Sequence, residues 1–157
     1  MRFLFVPWLI NSFRYQGKET EINWREKMVE FELGGRSFDT KDLSEKQRQI
    51  MKSLFFTNEL AKETDQKLKI LNFMKQNLEK AWVSDFQSKI IDTYVQKGDI
   101  QLKLENGKKL LVSSLNERAE ICYKQLLTVN EQISSYSNKL QILDTAKITY
   151  SKIIFES

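Results

Sequence analysis

Glu59, Glu63 and Asp65 come closest to a paired-carboxylate site, because Glu59 and Glu63 lie one helical turn apart. That spacing can hold one carboxyl protonated for general acid and base work. On a helix the same residues also form a solvated face of ion pairs with neighbouring lysines, and that is the expectation here. The chain has no histidine, which removes the commonest general base, the commonest zinc ligand and every Ser-His or Cys-His nucleophile. Its single cysteine, Cys122, excludes an internal disulfide and a CxxC site and reads as a small buried hydrophobe. No P-loop, dinucleotide fingerprint, EF-hand loop or zinc spacing occurs. These observations argue against an enzyme and imply no cofactor or metal.

Basic residues are the next candidates. The net charge is +4, and the lysines are spread along the chain rather than gathered in a tail. Lys103, Lys108 and Lys109 do collect in one stretch, with Tyr123 and Lys124 further on. There is no helix-turn-helix pattern, RNP-like strand or dense arginine cluster, so nucleic acid is the alternative partner rather than the leading one. Glu30, Glu32, Asp39 and Asp42 outweigh Arg36 and Lys41 in an earlier stretch. This opposition of charge between two stretches favours association of the chain with itself or with another protein.

The elements that would carry these residues are long helices. Five glycines and one proline leave little to interrupt them. Spacings of four and three recur through Ile50, Leu54, Thr57, Ala61, Thr64, Leu68, Leu71, Lys75, Leu78 and Trp82. Seventy-two residues later the pattern returns as Cys122, Leu126, Val129, Ile133, Tyr136, Leu140, Leu143, Lys147, Tyr150 and Ile154. The two blocks align without a gap, with identities that include Leu43/Leu115, Asn58/Asn130, Leu68/Leu140, Leu71/Leu143 and Lys75/Lys147. An internal duplication accounts for this. The polar Thr57, Thr64 and paired lysines predict a packed face broader than a pure seam, taking in Phe55, Leu60, Ile70 and Phe73.

A hairpin-like stretch precedes each block. Val29, Phe31 and Leu33 alternate with acids before Gly34-Gly35, and Ile100, Leu102 and Leu104 alternate with polar residues before Asn106-Gly107. Ser44 and Asn116 are the expected helix starts. Helical spacing through Phe86, Ile90 and Tyr94, closed by Lys97-Gly98, predicts a first helix running from 45 to 96, with a break near Ser84-Asp85 as the main alternative. The fold expected is mainly α with small β-hairpins: two hairpin-plus-long-helix repeats, the long helices packed as an antiparallel coiled-coil-like pair.

Gly35 with Phe38, then Leu43-Ser44 and a long helix, and the ending Leu143-Asp144-Thr145-Ala146-Lys147 with Tyr150 resemble a short domain family of unknown function from bacteria and their phages. There a Gly-turn hairpin leads into a helix closing on T-A-[KR]-x-x-Y. Only the second copy here has that ending, and it carries Leu110 in place of the aromatic. The resemblance implies two tandem copies and lends no catalytic residues. The expected organisation is 1–27 as an aromatic extension, 28–97 as the first repeat and 98–157 as the second. Phe3, Phe5, Trp8 and Phe13 make the extension the favoured docking peptide, with its own protein body preferred over a membrane surface. Leu54, Leu68, Leu71, Leu126, Leu140, Leu143 and Tyr150 are the expected contact residues of the seam. No stretch is long enough to span a bilayer, and a reducing, cytoplasmic setting, host or virion, is expected. The expected function is a non-enzymatic protein-protein interaction or assembly module.

Overall fold

The structure, a computed structural model, describes residues 30–33 and 35–156. The expected docking residues Phe3, Phe5, Trp8 and Phe13 lie outside these. By compactness the described residues divide into two units, one built from those up to 59 together with those from 144 onward, the other from 60–143.

In the first unit, β1 (Glu30–Leu33) pairs antiparallel with β2 (Arg36–Asp39), with Leu33 opposite Arg36 and Glu30 opposite Asp39. Gly35, at φ 75°, supplies the left-handed conformation the turn requires. A 3-10 turn (Thr40–Asp42) follows, capped by Asp39 Oδ1, which accepts from the Lys41 N–H at 2.9 Å. Helix α1 (Glu45–Phe86) then starts as its sequence predicts. Ser44 Oγ accepts the Gln47 N–H at 3.2 Å while Gln47 Oε1 accepts the Ser44 N–H at 2.8 Å, a reciprocal capping box. The unit's core is Leu33, Leu43, Met51, Leu54 and Ile154, with Phe38, Ile50, Tyr150 and Phe155 packed around it. Phe38 and Phe155 meet edge to face at 5.8 Å. Each Leu buried there contributes about 1.5–3 kcal/mol.

In the second unit, α1 ends at Phe86. Its terminus is Gln87, at φ 50°, whose N–H reaches the Val83 carbonyl. This corrects the expectation of a helix to residue 96. Residues Ile90–Gln96 form a strand, β3, paired antiparallel with β4 (Asp99–Leu104), and Lys97-Gly98 is the turn between them rather than a helix stop. The β-branched run Ile90, Ile91, Thr93 and Val95 fits a pleated strand better than a helix. β4 also pairs with β5 (Lys109–Leu111), so the expected second hairpin is two strands of a three-stranded antiparallel sheet, order β3-β4-β5. Gly107, at φ 85°, closes the second turn. Ser88 Oγ, buried in the α1-β3 connection, accepts the Asn106 N–H at 2.9 Å and ties that connection to this turn.

A second 3-10 turn (Val112–Ser114) leads to α2 (Glu117–Glu156), whose first turn is capped by Asn116 Oδ1 on the Ala119 N–H at 2.8 Å. The core of this unit joins sheet and helices: Trp82, Leu102, Leu104, Ala119, Cys122, Tyr123 and Leu126. Trp82 stacks on Phe86 at 4.3 Å and leans on Tyr123 at 6.4 Å. The helix segments here run antiparallel, since Cys122 meets Leu78 while Tyr136 meets Lys67.

The polar seam residues are satisfied locally. Thr57 and Thr64, both buried, return their hydroxyls to the carbonyls of Ser53 and Leu60 at 2.7 Å. Lys147 is half-buried and its ammonium reaches Asp144 at 2.9 Å. The packed face is narrower than predicted, because Ile70 and Phe73 lie in solvent, 61% and 64% exposed.

Candidate functional site

The groups that could do chemistry are held in other work. Glu63 and Lys67 form an exposed ion pair at 2.6 Å, and Asp65 pairs with Lys69 at 2.8 Å. The hydrogen bond from Lys67, reinforced by its charge, lowers the Glu63 pKa and raises that of Lys67. Cys122 is buried, its thiol directed at the Leu78 carbonyl at 3.5 Å. Burial raises its pKa, and the Asp85 charge adds to that against a smaller opposing effect of Arg118. A thiol so held is a poor nucleophile. Asp99 is held below the ordinary carboxylate range by the Ser113 hydroxyl and the Ile100 N–H, which fastens β4 to the second 3-10 turn. Among the described residues no group of three or more acidic, cysteine or histidine side chains is placed to hold a metal ion.

None of the seam residues singled out from sequence is exposed. Leu54, Leu68, Leu71 and Leu126 are buried, and Leu140, Leu143 and Tyr150 are half-buried. What remains accessible is a different set. Ile70, Phe73 and Met74 share one face of α1, spaced three and four residues apart, and all are exposed. Beside them a groove of ≈ 480 Å³ runs between Met74, Asn77 and Leu78 of α1 and Gln125, Thr128 and Val129 of α2. Its walls are apolar and its rim carries amides, a hydroxyl and Lys124, whose ammonium pairs with Glu120, a mix that suits a protein surface. Sequence reasoning missed this face by merging it with the seam. The signal was there, since residues 70, 73, 74 and 77 repeat at helical spacing on the flank of 68, 71, 75 and 78.

A second recess, of ≈ 310 Å³, lies where α1, β3 and α2 meet, lined by Lys75, Glu79, Trp82, Ile90, Thr93 and Tyr123 among others. Trp82 is 2% exposed, and its Nε1–H has no acceptor among the described residues. Next to the recess, β3 is an edge strand carrying exposed Ile91, Tyr94 and Val95. On the sheet's outer face Asp92, Lys103 and Lys109 stand in one row across the three strands.

Among the described residues no helix is long and apolar enough to cross a membrane. No protein-family model, curated protein or solved structure matches the chain.

Proposed function

We propose that this protein is a non-enzymatic protein-protein interaction or assembly module, working in the cytoplasm of a bacterial cell or in a phage particle, with a second copy of itself as its first partner. The observation that carries this is the exposed apolar face Ile70, Phe73 and Met74 beside the groove on α1 and α2. Apolar side chains grouped this way on a helix are the usual core of a protein contact. A tandem duplication supports the reading. The 3-10 turns at Thr40–Asp42 and Val112–Ser114 are seventy-two residues apart, and each follows a strand pair and precedes a capped helix. A unit with one helix cannot bury its stripe alone, so fused copies satisfy each other and leave further faces for partners. The resemblance to the phage and bacterial hairpin-plus-helix family is part of the same reading.

The test is the solution mass by light scattering over a range of concentrations, for the wild type and for a Ile70→Glu, Phe73→Glu double variant. Association that falls in the variant supports the proposal. An unchanged mass distribution refutes a role for this face. The alternative, a nucleic-acid-associated factor, rests on Lys103 and Lys109 side by side in the sheet. It requires DNA or RNA binding that weakens steeply with salt, and no binding at low salt would end it.

A further inference from the structure

β3 has a second property that its sequence alone hides. Lys97 and Gly98 both have positive φ, 51° and 83°, the geometry of a two-residue type I′ turn flanked by the bonded pair Gln96 and Asp99. Bonded and non-bonded pairs alternate along an antiparallel ladder. Tyr94 opposite Gln101 and Asp92 opposite Lys103 are therefore the next bonded pairs. Thr93 and Val95, opposite Leu102 and Ile100, turn their N–H and C=O groups to the open edge. The Thr93 amide agrees, because its N–H donates to the Asp92 carboxylate at 2.8 Å instead of entering the ladder. Val95 is 75% exposed on the same edge.

We infer that this edge pairs with β3 of a second copy, antiparallel about a two-fold axis through Tyr94, to give a continuous six-stranded sheet. The inference deepens the assembly reading and rests on it. The register follows from which backbone groups are free. A two-fold at Thr93 would set Val95 against residue 91, inside the register shift between Ile90 and Asp92. A two-fold at Val95 would set Thr93 against Lys97, inside the turn. Only the axis through Tyr94 matches Thr93 with the partner's Val95, and Val95 with the partner's Thr93, making four backbone hydrogen bonds. Side chains agree with this register. The β-branched Thr93 and Val95 oppose each other on one face, Tyr94 meets its own copy on the other, and Asp92 opposes Gln96, so no like charges are paired. An edge this self-complementary points to the same chain rather than a foreign strand. The Asp92 carboxylate on the Thr93 amide competes with pairing and acts as a brake on it.

Two different two-fold surfaces on one chain, the helix face and the β3 edge, carry assembly past a closed dimer, to a tetramer or a longer series. The experiment is light scattering across concentrations on the full chain, with far-UV circular dichroism to confirm folding. The wild type is expected to grow past two copies. Thr93→Pro, which removes an outward N–H bonded only to the Asp92 carboxylate and leaves the β3-β4 ladder intact, is expected to stop at two, joined by the helix face. The Ile70→Glu, Phe73→Glu variant is expected to stop at two, joined by β3, and all three substitutions together should leave one. Asp92→Ala, by removing the competing acceptor, should tighten association about fivefold. A folded Thr93→Pro variant that assembles like the wild type overturns the edge pairing, as does Asp92→Ala that assembles no more tightly. Association abolished by the helix-face substitutions alone overturns the edge pairing and leaves the assembly reading standing. Association lost only with Thr93→Pro does the reverse to the helix face.

Discussion

Replacing Leu102 by alanine tests the corrected part of the fold, the sheet that takes the place of the last stretch of the expected helix. Leu102 is 0% exposed at the centre of β4, opposite Thr93 on one side and Leu110 on the other, and it belongs to the core with Trp82, Tyr123 and Leu126. The substitution removes three carbons, about 0.8 kcal/mol each in transfer free energy. Trp82, fixed against Phe86 and Tyr123, is poorly able to follow into the space left, so a cavity contribution adds to this. The expected loss is about 3–4 kcal/mol, a large part of the ~5–15 kcal/mol that holds an ordinary domain. Val95 lies on the same sheet face but in solvent, so Val95→Ala should change stability by less than about 0.5 kcal/mol in monomeric protein. Urea unfolding followed by far-UV circular dichroism, at concentrations low enough to keep single copies, measures both. A loss under about 1 kcal/mol at Leu102, or equal losses at the two sites, would refute the placement of β3 and β4.

Gly98→Ala should cost about 1–2 kcal/mol from backbone strain alone, since φ is 83° and no atom lies within 4 Å of the added Cβ; thermal unfolding reads it, and Gly98→Asn should cost less. Cys122 should react with a thiol reagent at pH 8 at least about tenfold more slowly in the folded protein than in urea, because burial raises its pKa and hides the sulfur; equal rates would place the thiol on the surface. Asp99 has a folded pKa below its unfolded value, so its contribution to stability is complete above about pH 4 and is lost as pH falls through the folded pKa. An acid titration of stability should therefore be shallower in Asp99→Asn than in the wild type, and parallel curves would show that Ser113 and Ile100 do not hold the carboxylate.

Much of the architecture is legible in the residues because its signals are local. Ser44 with Gln47 and Asn116 with Ala119 cap the helices where an oxygen-bearing side chain precedes a charged or amide-rich turn. Gly35 and Gly107 turn the chain where the alternation of apolar residues stops. The seam from Leu54 to Trp82 is buried or half-buried at every position. The misreading of β3 has a physical source. Phe86, Ile90 and Tyr94 repeat at four residues by coincidence, and the helix ends on Gln87, a residue that seldom takes positive φ and so gives no punctuation. The competing signal was the pair Lys97-Gly98 set between two alternating runs, which identifies a hairpin more specifically than it does a helix stop. The candidate contact surfaces were harder to read. Ile70 and Phe73 have the composition of core residues, and only the burial of Leu68 and Leu71 on the neighbouring face shows that they are left outside. The open edge at Thr93 and Val95 depends on ladder phase, which is fixed by the turn and not by residue type.

Light scattering of the wild-type chain over a wide concentration range decides whether the chain assembles. A single copy weighs 18.6 kDa. The expected mass rises with concentration and passes twice that value. A mass that stays at 18.6 kDa throughout would contradict assembly.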